Sequence, residues 1–330
     1  MHPRFPSPAI AAVVLSAAST FAQTISDVSV PRRYTFESFS VPLPLSVVTG
    51  ATGINYRGAV VGYYTLPDKT LGFKRDANAV FEFPILGATN MRAAYARGIN
   101  DSGDMMGYAY DGTKYFGFLL TVQGKYSIID AAPSLGLPSK AFTYITGLNN
   151  LGDFVGYVSC YSSGCDGKTH GFANIAGSFT LVDVVDIDLA DVDVTFPQAI
   201  AWDGTIVGCY QDQNQRQHGF LRGPKGEFLR FDVAGGDNTC ATGVNNEAHT
   251  IVGTFHGSDY KDHSFIYDYS ADLTPFVADS SNSIQMIRAQ TLEFPGVGTT
   301  FLSGINAKGV IVGSFIPSEG YTFSFIGTPK

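Results

Sequence analysis

Three histidines recur at one place in a repeat: His170, His218 and His263 each stand directly before a Gly-Phe or Ser-Phe pair. Imidazoles are common zinc ligands, but side chains one repeat apart are too distant to share an ion. The same position holds Leu71 and Phe116 in other copies. A place that accepts apolar residues reads as structural, with the imidazole bonded to a nearby turn. Carboxylates offer a second chemistry. Asp111, Asp166, Asp212 and Asp259 all fall between the second and third strands of their copies, and two of them brought together in space would suit glycoside hydrolysis. Asp186, Asp188, Asp191 and Asp193 crowd another stretch. Outside a cell such oxygen ligands suit calcium, the one cofactor this chain leaves open. The run lacks the glycine-bearing Asp-x-Asp-x-Asp-Gly loop, however, and its plainer reading is an acidic, solvated connection that discourages edge pairing.

A further set is polar and occurs once per copy: Thr52, Arg97, Thr146, Gln198, Thr242 and Ser303. Each lies on the first strand of its copy, the strand placed innermost, so together they would line a central channel, a natural concave site. Arg97 is then the strong anion anchor. The competing reading is hydrogen bonding between packed copies, with no ligand. Long variable loops, Ser159 to Thr169 and Thr254 to Asp262, carry Tyr161, His256, Asp259 and Tyr260, side chains able to stack on and hydrogen-bond to a sugar or peptide. Another insertion precedes Ala289. Ligand contacts are expected from these loops or from the ring at Arg97. No Gly-x-Ser-x-Gly, His-Glu-x-x-His or phosphate loop is present. The expected function is therefore a non-catalytic binding or interaction module. The alternative is an extracellular glycan-acting hydrolase or lyase working through loop carboxylates.

What must position these residues is a repeat. Gly53-Ile-Asn-Tyr-Arg-Gly-Ala-Val-Val-Gly62 returns as Gly98-Ile-Asn-Asp-Ser-Gly-Asp-Met-Met-Gly107 and Gly147-Leu-Asn-Asn-Leu-Gly-Asp-Phe-Val-Gly156. A worn copy begins at Ala199, a copy one residue longer at Gly243, and a sixth at Gly304. The spacing of roughly 45 to 60 residues is that of propeller blades. Each copy continues into an aromatic strand, such as His218-Gly-Phe-Leu, and a fourth run, such as Glu227-Phe-Leu-Arg-Phe-Asp, giving four short strands bounded by turn residues. The sixth copy ends with its third strand, Phe323-Ser-Phe-Ile326, whereas Tyr34-Thr-Phe-Glu-Ser-Phe-Ser-Val-Pro42 precedes the first copy as a lone fourth strand. A chain that begins with one strand of a blade and ends with the other three is closing a ring, which buries edges an open solenoid exposes. The expected fold is all-β: a six-bladed β-propeller over 34–330, its last blade closed by the N-terminal strand.

The Gly-Ile-Asn-x-x-Gly-x-Val-Val-Gly core followed by His-Gly-Phe-Leu resembles the HAF family of extracellular bacterial repeats. The resemblance runs through all six copies, and it implies an exported repeat protein while saying little about activity.

Two further features agree with export. Residues 1–22 read as a signal peptide, an apolar run ending in Thr20-Phe21-Ala22, with 23–33 a linker. Cys160 and Cys165 bracket a four-residue loop and are expected to pair in an oxidising compartment, while pairing of Cys209 with Cys240 stays open. The protein is expected to be secreted or periplasmic and monomeric, with no membrane span. Its partner is expected to be an extracellular glycan or protein. The net charge of −8 and the lack of any basic stripe argue against nucleic acid.

Overall fold

The computed structural model describes residues 33–41, 48–76, 79–82, 91–161, 164–184, 192, 194–245, 247, 249–269, 284–297, 299–317 and 321–330. The expected signal peptide and the aspartates Asp186, Asp188, Asp191 and Asp193 lie outside these residues. The described chain is all-β, without an α-helix. No helix among the described residues is long and apolar enough to cross a membrane.

Each repeat folds from its turn outward. The Asn of Gly-Ile-Asn-x-x-Gly caps the turn: Asn55 Oδ1 accepts the backbone N–H of Arg57 at 3.1 Å and of Ala59 at 2.9 Å. Gly58 leaves the turn at φ +83, where a side chain would be strained. In the longer fifth copy His249 takes that conformation instead, at φ +47.

The hairpins extend into antiparallel four-stranded units. The first strand, β1 (Tyr34–Phe39), is set apart. Unit 1 is β2 (Val48–Ile54), β3 (Val60–Thr65), β4 (Thr70–Asp76) and β5 (Ala79–Glu82), and unit 2 is β6 (Ala93–Ile99), β7 (Met105–Tyr110), β8 (Tyr115–Leu120) and β9 (Tyr126–Ile129). Unit 3 comprises β10 (Phe142–Leu148), β11 (Phe154–Ser159), β12 (Thr169–Ile175) and β13 (Ser178–Leu181). Unit 4 comprises β14 (Val194–Ile200), β15 (Ile206–Gln211), β16 (Gln217–Arg222) and β17 (Phe228–Val233). Unit 5 contains β18 (Gly236–Asn245), β19 (Thr250–Gly257), β20 (Asp262–Asp268) and β22 (Gln290–Leu292), while β21 (Gln285–Ile287) joins the outer strand of unit 4 in parallel. Unit 6 is β23 (Thr299–Ile305), β24 (Ile311–Ile316) and β25 (Phe323–Pro329), and β1 supplies its fourth strand, Tyr34 opposite Pro329 through Phe39 opposite Ser324. The lone N-terminal strand thus completes the C-terminal unit, as its sequence suggested.

The core is the repeated aromatic of the third strand. Phe73, Phe118, Phe172, Phe220, Phe265 and Phe325 are all fully buried, each such burial stabilising by about 1.5–3 kcal/mol. β1 adds Tyr34 and Phe36, both buried, and Phe36 packs edge-on to Phe294 and Phe325 at 5.4 and 5.6 Å between centroids. A second repeated device fastens five of the six units, all but unit 2, to the connection before it. The buried hydroxyls of Thr49, Thr143, Thr195, Thr239 and Thr300 accept backbone N–H groups of Val41, Ala131, Val184, Val233 and Phe294.

Side-chain amides and backbone carbonyls then lead around the units. Asn55 Nδ2 donates to Asn100 O in unit 2, Asn149 to Ala201 O in unit 4, Asn245 to Asn306 O in unit 6, and Asn306 to Asn55 O back in unit 1, all at 2.9–3.0 Å. Units 2 and 3 meet where Asp101 N donates to Asn150 Oδ1 and Asn150 Nδ2 to Asp101 Oδ2. Units 4 and 5 are joined by the Cys209–Cys240 disulfide.

Candidate functional site

Every first strand is bulged, and the bulges fall at Thr52, Arg97, Thr146, Gln198, Thr242 and Ser303. A bulge adds one residue against its partner strand and re-aims a side chain. Close backbone approach accompanies it: a Cβ on Gly107, in the second strand, would run into the carbonyl oxygen of Tyr95. The six bulge residues line one cavity of about 90 Å³ where the first strands converge, so the fold brings them together.

The ring alternates in role. In units 1, 3 and 5 the threonine hydroxyls donate to the backbone of the following unit, Thr52 to Ala96 O, Thr146 to Pro197 O and Thr242 to Leu302 O, at 2.6–2.7 Å. Those are the inter-unit hydrogen bonds of the plainer reading. Units 2, 4 and 6 contribute Arg97, Gln198 and Ser303. Arg97 Nη2 donates to Gln198 Oε1 at 3.3 Å, and Arg97 Nε is buried without a hydrogen-bond partner.

Beyond the ring, toward the starts of the first strands, lies an aromatic belt. Tyr95 and Tyr108 stack within unit 2 at 4.9 Å, and Tyr144 and Tyr157 stack within unit 3 at 4.6 Å. Edge contacts carry the series across three unit boundaries: Tyr63 to Tyr95 at 5.1 Å, Tyr108 to Tyr144 at 5.1 Å, and Tyr157 to Phe196 at 4.9 Å. All six rings are half-buried. Burial pushes the Tyr108 phenol upward and Arg97 draws it partly back, and burial likewise raises Tyr144 and Tyr157 far above the usual tyrosine value. These hydroxyls are neutral at physiological pH. Tyr161, of the loop closed by the Cys160–Cys165 disulfide, is exposed and adds to the upward push on Tyr144 and Tyr157. The belt was not anticipated, although a register signal was available: Tyr63, Tyr108 and Tyr157 directly follow the glycine that closes the repeat core, and Tyr95, Tyr144 and Phe196 stand two residues before the ring position.

The repeated histidines serve their own units. His170 Nδ1 lies 2.7 Å from Asp183 and its Nε2 2.8 Å from Asp166. His263 is held between Glu293 at 2.6 Å and Asp259 at 2.8 Å. His218 meets Asp232 at 2.9 Å, with Asp212 farther off at 3.5 Å. Each imidazole joins a loop carboxylate to one near the fourth strand. Hydrogen bonding to Asp183, against the cost of burial, raises His170 to about 9. Burial opposes the charge on His218 and His263 but is outweighed by their carboxylates, and both are raised. In unit 2, Lys114 pairs with Asp130 at 2.7 Å.

That arrangement occupies the loop carboxylates. Asp111 caps its own turn, accepting from Thr113 and Lys114. Asp166, Asp212 and Asp259 each meet their histidine, and His256 bonds Asp262 at 2.9 Å. The four loop aspartates belong to four different units. Hydrogen bonds hold Asp111, Asp166 and Asp259 below the usual carboxylate range, and on Asp212 they outweigh burial to the same end. A carboxyl held ionised is poorly suited to act as a general acid. Tyr260 is 88% exposed at the tip of its loop. Among the described residues no group of three or more His, Cys, Asp or Glu side chains is arranged to hold a metal ion.

The opposite ends of the first strands open on a cavity of about 130 Å³ lined by the repeat turns, including Tyr56, Asp101, Asn150, Trp202 and Glu247. Trp202, the only tryptophan of the chain, is 57% exposed there.

No protein-family model matches the chain, and no curated protein does. Among solved structures, the chain is similar to an Aleuria aurantia lectin mutant in complex with Fucalpha1-6GlcNAc. That match has a TM-score of 0.48 and 11% identity, over 87% of this chain and 95% of that one. It is also similar to the SapL1 lectin in complex with alpha methyl fucoside, at a TM-score of 0.48 and 11% identity over 82% and 89% of the two chains.

Proposed function

We propose that this chain is an exported six-bladed β-propeller that binds a carbohydrate at the mouth of its central channel. The observation carrying this reading is the aromatic belt. Six half-buried rings in van der Waals series from Tyr63 to Phe196 cross four units. A buried core does not need tyrosines in such a series, because a phenol's hydroxyl must be kept wet or bonded. A ligand with flat C–H faces and many hydroxyls suits rings that offer a flat apolar surface and a neutral phenol. Two disulfides agree with an oxidising compartment. The hydrolase alternative fares less well, since the loop carboxylates are ionised and committed to hairpin contacts.

The test is a glycan array on the purified protein, followed by titration calorimetry with the best saccharide. Tyr108→Leu and Tyr144→Leu are expected to weaken binding at least about tenfold, about 1.4 kcal/mol or more, with unchanged thermal midpoints. Tyr260→Ala, at an exposed loop tip of unit 5, which contributes no ring to the belt, leaves affinity unchanged. Full affinity in both belt variants would refute the assignment.

A further inference from the structure

We propose that the channel under the belt binds a carboxylate, so that the carbohydrate recognised there is an acidic one; the saccharide half of this inference rests on the function proposed above. The chain carries 29 acidic residues against 21 basic ones, yet no Asp or Glu is among the residues lining the channel around Arg97. Among the described residues, no carboxylate lies within salt-bridge distance of its guanidinium. Its bonded neighbour is the neutral Gln198, and its Nε is buried and unmatched. A half-buried guanidinium is favoured by an anion beside it, because each part of the charge withdrawn from water is costly without one.

The other free groups of the ring can each donate. The threonines of units 1, 3 and 5 spend their hydroxyl protons on neighbouring carbonyls. Gln198 turns its carbonyl to Arg97, which leaves its amide N–H groups for another acceptor. Ser303 adds a hydroxyl from unit 6. A guanidinium, an amide N–H₂ and a hydroxyl converging from three alternate units suit an acceptor-only group of one negative charge. The space of about 90 Å³ admits a carboxylate. The ring of a uronic acid would then rest on the tyrosines, with its carboxylate below them. Arg97 is placed for this, since its charge is felt by the phenols of both Tyr108 and Tyr157.

Calorimetry with trigalacturonic acid and with its fully methyl-esterified form separates charge from shape, because the two differ only in the ionised group. The wild-type protein is expected to bind the acid at least about tenfold more tightly than the ester, and Arg97→Gln to reduce the acid to the level of the ester. Arg97→Lys, which keeps a charge but loses the fork, retains part of the preference. The acid–ester comparison on wild-type protein holds whether or not the variants fold. Equal binding of acid and ester overturns the carboxylate inference and leaves the carbohydrate reading standing. If neither trimer binds but acetate shifts the Arg97 side-chain NMR signals, the carboxylate site stands and the saccharide reading fails. No response to any of the three overturns both.

Discussion

Arg97 and Gln198 are 101 positions apart and two units apart, yet their side chains meet at 3.3 Å. The contact exists because the first strands converge and bulge at the same register, so that a residue of unit 2 reaches one of unit 4 across the cavity they both line. Gln198→Ala should free the guanidinium without removing it. Affinity for an acidic saccharide is expected to fall by less than in Arg97→Gln, with its salt dependence retained. Calorimetry at low and high salt separates the two variants.

Phe36 is buried between Phe294 and Phe325 on the strand that completes unit 6. Phe36→Ala is expected to cost about 3–5 kcal/mol, read as a shift in denaturant midpoint. Removing 34–39 altogether leaves the β25 edge unpaired and should lower the stability of all units together. An unfolding transition confined to a fraction of the tyrosine signal would show that the ring does not depend on this strand.

The three clamped histidines give stability a direction with pH. His170 is raised from the ordinary 6.5 to about 9, so it contributes fully below about 6.5 and its contribution is lost as pH rises through about 9. His218 and His263 are raised as well and act in the same sense. Denaturation midpoints are expected to fall between pH 6.5 and 9, with a shallower slope in His170→Gln. A flat wild-type profile over that range would count against the clamps.

The disulfide Cys209–Cys240 ties the second strand of unit 4 to the first strand of unit 5 across 31 positions, whereas Cys160–Cys165 closes a local loop across 5. Loop-closure arguments make the longer link the more stabilising, within about 2–4 kcal/mol for the pair of values. Cys209→Ser with Cys240→Ser should therefore lower the midpoint more than Cys160→Ser with Cys165→Ser does.

Trp202 stands at the turn end of the channel, opposite the belt, and so acts as a built-in reporter of which mouth is used. Its emission is expected to be that of an exposed indole and to stay unchanged when saccharide binds at the belt. Quenching by ligand would instead place binding at the turn end.

Much of this was legible because the repeat fixes registers. Tyr34 and Phe36 match the fourth strands of other copies, so the closing strand could be read without coordinates. The ring could be found because a polar residue stands directly before the first Gly or Ala of each core. The belt escaped notice because a tyrosine in a strand looks like core filler, and partial burial depends on how neighbouring units meet. The same applies to Cys209 and Cys240, whose distance depends on the packing of two units. The strand Gln285–Ile287, added in parallel to unit 4, is too short to carry an alternation pattern. The histidines were read as bonded to turns, and their second carboxylate partners come from residues 13, 14 and 30 positions away.

The alternation around the channel has a consequence for how this chain can change. Thr52, Thr146 and Thr242 each lock onto the carbonyl just before Arg97, Gln198 and Ser303, so the units are coupled as three doublets. Within a doublet one residue secures the seam and its counterpart is released from that duty. Positions 97, 198 and 303 are thus a vocabulary of three letters, held in place by a grammar written elsewhere. Rewriting them together should yield a family of variants that differ in what they retain on a column and share one melting temperature.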